Sequence, residues 1–382
     1  MTSELEDRTI LSRRDLGAIA AAFLLIGVVA SSYGPLLLFL SHRFEVSLPI
    51  AGAVLSAHFA GALAGVLGSV YAMERYPNRH VVAAGLASVA LGCTLVAVAP
   101  AWPALLGGVF LVGIGFGVLD IGLNQIVAHS AGARRSAVLN MLNGSFGAGA
   151  VLGPILVTLL GEHHFALLFG GVAILTLALL PQGIRIPGRM PVRSTANARP
   201  PSGLIPLFVI AFGLYVGTEA GVGGWSTSHL VFTGLSPGTA AAFTSGFWLA
   251  MAVGRLLAGL IPSRVPEPVI VITASVLGAI ALLVAAFGRP APVAYVVTGL
   301  VIAPIFPTAI VWLARRLPDD ARATSWLFPG AMVGGALIPA AIGFVIARVG
   351  LGGAPVVLSV VAFGTFFAFL IARRVATAQP NP

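Results

Sequence analysis

Runs of apolar residues, each long enough to cross a bilayer as a helix, follow one another along the whole chain with only short polar breaks. About 20 such residues span a hydrocarbon core about 30 Å thick. The runs lie near 17–40, 50–73, 80–99, 103–127, 136–160 and 165–183, then near 204–229, 237–261, 268–287, 291–314, 323–347 and 351–372. An all-α membrane protein with twelve transmembrane helices is therefore expected. Composition agrees: 9% of residues are charged, against about a quarter in a soluble domain, too few to cover a water-soluble surface. The polar start, MTSELEDRTILSRRD, precedes a run of full spanning length, so it reads as a short cytoplasmic tail, with no cleavable signal.

The net charge of +9 comes from arginine alone, since no lysine occurs. With both termini cytoplasmic, seventeen arginines fall in inner segments and three, Arg43, Arg289 and Arg348, in outer ones, with Arg255 set apart inside a span. That bias is the positive-inside pattern, and it predicts a multi-pass protein of the plasma (inner) membrane. It also accounts for the basic charge by topology, so no nucleic acid is expected as a partner. The single cysteine, Cys93, lies in an apolar span, so neither an intrachain disulfide nor a cysteine metal site is possible. No metal or other cofactor is expected.

A polar stretch, QGIRIPGRMPVRSTANARPPSG, separates spans six and seven. It divides the chain into an N-terminal six-helix bundle with its tail (1–183), a cytoplasmic linker (184–203) and a C-terminal six-helix bundle (204–382). GAGAVLGP (147–154) in span five and PGAMVGGALIP (329–339) in span eleven are small-residue runs ending in proline at equivalent places in the two halves. Small residues let helices approach closely, and the matched placement points to a duplicated, pseudo-symmetric transporter architecture.

Two acids stand inside spans: Asp120 in span four and Glu219 in span seven, with Arg255 near the inner end of span eight. A charged group at mid-membrane costs about 2.5–3.5 kcal/mol on the lenient insertion scale and normally faces a cavity or a partner. Asp120 lies among Gly115, Gly117 and Gly122, read here as thinning the helix around it, and Asn124 follows one turn on, on the same face. The pair offers hydrogen-bonding groups to a solute or a coupling ion, unless Asp120 serves a structural ion pair. Glu219 sits among four glycines, and Trp225 follows it either as an interfacial anchor or as an apolar platform for a sugar face.

Other candidates are Tyr33, before the Gly34-Pro35 kink of span one; His58 in span two; Asn140 and Asn143 at the opening of span five; and Trp248 in span eight. His58 and Trp248 fit packing positions equally well. Arg255 is read as structural, tying helix ends together. Pro304 and Pro307 break span ten, and broken spans free backbone carbonyls for contacts with a solute or an ion.

GFGVLDIGLN, LNMLNGSFGAGAVLGP, YVGTEAGVGGW, SGFWLAMAVGRLLAG and APIFPTA, in this order on spans four, five, seven, eight and ten, resemble the major facilitator superfamily, and within it the fucose:proton symporter branch of sugar transporters. The resemblance implies the major facilitator fold, two bundles that alternately expose a central cavity, and a span-four acid, here Asp120, that couples solute to a proton. It also carries the branch's span-seven glutamate and tryptophan onto Glu219 and Trp225. The branch's fucose permease has glutamate at the span-four position, a longer arm than Asp120. The superfamily's gating signature between spans two and three is matched only in part by MERYPNRH, with Glu74, Arg75 and Arg79.

The expected activity is proton-coupled alternating-access transport of a small polar solute, a sugar first, with sodium as the other possible coupling ion. The alternative is a proton-coupled exporter of amphipathic or cationic compounds, whose charge the same acids would pair. An enzyme is not expected: no nucleophile with a positioned base and no phosphate-cradling loop occurs, and the glycines of GIGFGVLDIGLN lie inside a span and not in a strand–turn–helix. The partners expected are the solute, the coupling ion and the bilayer, with the protein as a monomer.

Overall fold

The computed structural model describes residues 11–130, 135–189, 203–260, 264–317 and 323–378. Most of the linker expected over 184–203 lies outside them, as do Arg8, Arg134, Arg193, Arg199 and Arg322. Among the described residues, twelve helices are long and apolar enough to cross a membrane: α1 (Arg13–Arg43), α2 (Leu48–Arg75), α3 (Asn78–Ala97), α4 (Trp102–Ala128), α5 (Val138–Leu160), α6 (Glu162–Gly183), α7 (Leu204–Phe232), α8 (Pro237–Ala258), α9 (Glu267–Ala285), α10 (Ala291–Arg316), α11 (Ala323–Val349) and α12 (Leu351–Thr377).

Local chemistry sets their ends. α1 begins four residues before the apolar run because Ser12 caps it: the Asp15 amide donates to Ser12 Oγ (3.2 Å) and the Ser12 amide donates to Asp15 Oδ2 (2.8 Å), a reciprocal capping pair. Ser236 caps α8, with Pro237 in the first turn. α10 is interrupted between Ile302 and Ile305, at Pro304, as expected where a residue has no amide to donate. Gly161 and Gly350 end α5 and α11 at φ of 79° and 82°, a region open to glycine. Each is followed by one short 3₁₀ turn, so the two halves repeat the same connector.

Contacts divide the chain into two compact units, Met1–Ser32 with Ala57–Ser194, and Tyr33–Ser56 with Thr195–Pro382. In the first, helices meet backbone to backbone at glycine. A Cβ on Gly149 of α5 would fall on the Leu24 carbonyl of α1, one on Gly113 of α4 on the His58 carbonyl of α2, and one on Gly92 of α3 within 2.5 Å of the Val112 amide of α4. In the second unit α7 packs on α11 the same way, with Gly213 against Gly330 and Gly334, while α8 packs on α10 and α9 on α12. The two small-residue runs thus act alike, GAGAVLGP bringing α5 onto α1 and PGAMVGGALIP bringing α11 onto α7.

A Cβ on Gly334 would lie on the main chain of Gly213. Gly334→Val is expected to cost about 1–3 kcal/mol through overpacking, read as a lower thermal midpoint of the detergent-purified protein. Gly170→Val, with open space around the added carbon, should leave that midpoint unchanged.

Candidate functional site

In the first unit, Phe116, Asp120 and Asn124 share one face of α4 at four-residue spacing. Asn124 Nδ2 donates to the Asp120 carbonyl (2.8 Å) and to Asp120 Oδ1 (3.2 Å). The amide that was expected to face a solute therefore uses its donors on the neighbouring acid, and what the pair presents is acceptors. Among the described residues, no cation lies within ion-pair distance of Asp120. The glycines around it do something other than make room. Gly115 is pressed against Gly85 and Val89 of α3 and Gly117 against Ala62 and Val66 of α2, so only Gly122 borders open space. A helix apolar on all sides does not announce which face carries its neighbours, and these two faces are packing faces.

His58 of α2 is buried, edge-on to Phe116 with ring centroids 5.0 Å apart, and Phe116 meets Phe146 of α5 at 6.1 Å. Asn143 is exposed and donates to its own helix at the Leu139 carbonyl (2.9 Å); Asn140 is exposed as well. Glu74 is exposed, and the Arg75 guanidinium lies 3.6 Å from the centre of the Tyr71 ring. The Arg75 carbonyl accepts from Arg189 Nη2 (2.8 Å), and Asn78 Nδ2 donates to the Pro187 carbonyl (3.1 Å). The α2–α3 connector therefore clasps the chain leaving α6.

In the second unit, α7 and α8 face each other as a ladder of matched rungs. Ser226 and Thr227 hydrogen-bond the Thr244 hydroxyl at 2.9 and 2.7 Å. One turn away, Gly223 leaves space filled by the Trp248 indole. Next comes Glu219, whose Oε1 lies 3.4 Å from Arg255 Nη2, and the Met251 sulfur lies 3.5 Å from the same nitrogen. Arg255 and Glu219 side chains are 26% and 13% exposed. Tyr215, one turn before Glu219, interacts electrostatically with both members of the pair. Among the described residues, Arg255 Nε and Trp248 Nε1 are buried without a hydrogen-bond partner. The Glu219 carboxylate of α7 with these two donors of α8 can both accept from and donate to the hydroxyls of a bound molecule.

Sequence reasoning singled out Glu219, Arg255 and Trp248 but did not join them, because the register of α7 against α8 is a tertiary fact. It missed Tyr215, whose signal is the four-residue step in YVGTE. It also missed the buried Tyr295 hydroxyl, 3.1 Å from His229 Nδ1. Trp225 is neither an interfacial anchor nor an open platform in this conformation: it is fully buried, and its Nε1 donates to the Pro339 carbonyl of α11 (3.2 Å). Tyr33 is buried at 2% exposure. Pro304 and Pro307 lie at the break in α10, where Gly254 of α8 packs against Leu300 and Ala303.

The sequence profile described as Major Facilitator Superfamily matches residues 19–233. The chain is 25% identical over 288 residues to a sodium-dependent glucose transporter 1 of Danio rerio, a match covering 62% of this chain and 48% of that protein, about half its length. It is 25% identical over 356 residues to a putative glucose/galactose transporter of Helicobacter pylori (85% of this chain, 87% of that one). The same identity and length relate it to the fosmidomycin resistance protein of Escherichia coli (86% of each). Among solved structures, it superposes on a POT family transporter in complex with a thioalcohol-conjugated peptide with a TM-score of 0.76 at 15% identity, covering 95% of this chain and 97% of the other. On the E. coli fucose:proton symporter the TM-score is 0.65 at 17% identity, covering 94% and 98%.

Proposed function

Because the chain belongs to the Major Facilitator Superfamily, it carries a small solute across a lipid bilayer by alternating access, and we propose that the solute is a sugar or similar polyhydroxylated compound moved together with a proton. The observation that carries this is a division of labour between the two membrane acids. Among the described residues, Glu219 has a cation beside it in Arg255, whereas Asp120 has the amide of Asn124 and no cation within ion-pair distance. A carboxylate without a counter-charge is the one whose charge is most expensive to keep inside a membrane, and so the one suited to cycling a proton. Asp120 is accordingly assigned to proton coupling. Glu219, Arg255, Tyr215 and Trp248 are assigned to the solute, whose hydroxyls would supply acceptors to Arg255 Nε and Trp248 Nε1 and engage the carboxylate.

Two relatives named as glucose transporters support the sugar. The relative named for fosmidomycin resistance supports the other reading, export of an amphipathic compound. The arginine bias supports cytoplasmic termini in a plasma (inner) membrane. A panel of monosaccharides, cationic lipophiles and sodium salts, screened by thermal shift on purified protein, separates the readings. Stabilisation by one or more sugars, followed by their uptake into proteoliposomes, is the expected result. Stabilisation by cationic lipophiles alone would replace the sugar by the export reading.

A further inference from the structure

On the N-terminal side of the membrane, the first unit carries a shallow apolar groove. It is lined by Ala18 and Ala22 of α1, Val82 and Leu86 of α3, Leu179 of α6 and Ile186 just beyond that helix. The small residues of α1 leave the hollow, and α3 and α6 wall it. Both walls belong to helices that meet lipid, since Leu91 and Leu95 of α3 and Leu175 and Leu177 of α6 are exposed. The groove therefore opens beside surface that acyl chains cover.

Charge surrounds its inner end. Arg14 stands one turn before Ala18, Arg79 three residues before Val82, and Arg185 next to Ile186, so each wall of the groove brings a guanidinium. All three arginines are exposed, and among the described residues none is in an ion pair. The acids nearest in sequence do not answer them: Asp15 accepts from Ser12, and Glu74 is exposed on α2. The positive-inside bias puts arginine on this side of the membrane but does not gather three around one groove. Two buried oxygens point to the same place. Asn78 Oδ1 and Gln182 Oε1 are without a hydrogen-bond partner. Gln182 shares a face with Leu179 and Ile186, and Asn78, 1% exposed, stands one turn before Val82. The Asn78 Nδ2 donates to the Pro187 carbonyl, which fixes the carboxamide and leaves its oxygen as the unused end. Buried acceptors without donors are costly, so a ligand that brings donors is favoured.

We propose that this is a binding site for a phospholipid with an anionic, hydroxyl-bearing head group, of the phosphatidylglycerol kind. Its phosphate lies among Arg14, Arg79 and Arg185, its hydroxyls donate to Gln182 and Asn78, and the first methylenes of one acyl chain fill the groove. Each part of the lipid answers one feature. A phosphate accepts charge-assisted, bidentate hydrogen bonds from guanidinium groups. Glycerol hydroxyls supply the donors that the two carboxamide oxygens lack, whereas a choline head group brings neither net charge nor a donor. Basic hollows between spans on the cytoplasmic side are suited to anionic head groups. Because α1, α3 and α6 all meet the lipid, its binding ties their inner ends together and stabilises the first unit. The site serves whichever solute and coupling ion the protein carries.

Native mass spectrometry and the thermal midpoint of the detergent-purified full chain test the site with lipids of matched chains. Phosphatidylglycerol should be retained as an adduct and raise the midpoint, and phosphatidylcholine should do neither. Phosphatidylmethanol keeps the charge and lacks the hydroxyls, so it should bind less tightly, and Gln182→Leu should abolish that difference. Arg14→Gln with Arg79→Gln and Arg185→Gln should weaken retention of phosphatidylglycerol about tenfold or more. Lysine at the same three positions should keep most of it. Arg289→Gln with Arg348→Gln, on the other side of the membrane, should change nothing. Ala18→Phe fills the groove with the arginines intact, should also weaken retention, and decides the matter if the glutamine triple does not fold. Equal retention of phosphatidylcholine, or normal retention by the folded glutamine triple or by Ala18→Phe, would overturn the site. So would sn-glycerol 1-phosphate raising the midpoint as far as the whole lipid, which would leave the groove without a role. A head-group preference unmoved by Gln182→Leu would overturn the assignment of the hydroxyls.

Discussion

Asp120→Asn protein in proteoliposomes is expected to exchange solute across the membrane but to lose all accumulation against a gradient. The two functions separate because coupling needs a group that changes protonation between the two sides, whereas exchange needs only a binding site that alternates. The substitution is nearly isosteric and leaves an oxygen for Asn124 Nδ2, now 3.2 Å from Asp120 Oδ1, so the packing of α4 should survive. One coupled proton and a pH difference of one unit store about 1.4 kcal/mol, enough for a solute ratio of about ten. In Asp120→Asn the ratio should settle near one, with counterflow intact. Asp120→Glu keeps the ionisable group and should retain coupling. If Asp120→Asn still concentrates solute under an imposed proton gradient, the proton is carried elsewhere, and Glu219 is the next candidate.

Arg255 gives the second large effect. Arg255→Leu leaves the Glu219 carboxylate without its cation, and removing one partner of a buried pair costs about 3–5 kcal/mol. The 26% exposure of the guanidinium lowers that figure here. Replacing both groups, Glu219→Gln with Arg255→Gln, removes the charge and its compensation together, and its thermal midpoint should lie closer to that of the unaltered protein than that of Arg255→Leu. Solute binding should be lost in both. A double variant as unstable as Arg255→Leu would mean that the pair does not act as a unit, and retained affinity across the sugar panel would remove it from the solute site.

The twelve spans were legible because length and hydropathy are properties of a run and need no knowledge of neighbours. The same holds for the duplicated small-residue motifs, although the helices they meet, α1 and α7, came only from the structure. Legibility stopped at faces. Around Asp120 every flanking residue is apolar or glycine, so no amphipathic stripe showed that Gly115 and Gly117 were occupied by α3 and α2. Trp225 failed for a related reason. An aromatic near the end of a span has an ordinary interfacial explanation, and its actual neighbours, Gly52 and Pro339, come from helices far away in sequence. Glu219 and Arg255 were each conspicuous as charges in oil, but their pairing depended on the register of α7 on α8.

Glycine-to-backbone contact between neighbouring helices has a consequence for how such a chain can diverge. Where α5 meets α1, or α11 meets α7, the specification is the absence of a side chain at a few positions, and almost any apolar residue serves on the lipid side of the same helices. The architecture is then written in a small vocabulary that many unrelated-looking sequences can spell. That is why superposition over nearly the full length coexists with identities of 15–17%, and why random substitution in this protein should be least tolerated at Gly113, Gly149, Gly213 and Gly334, each of which is taken up by the main chain of a neighbouring helix.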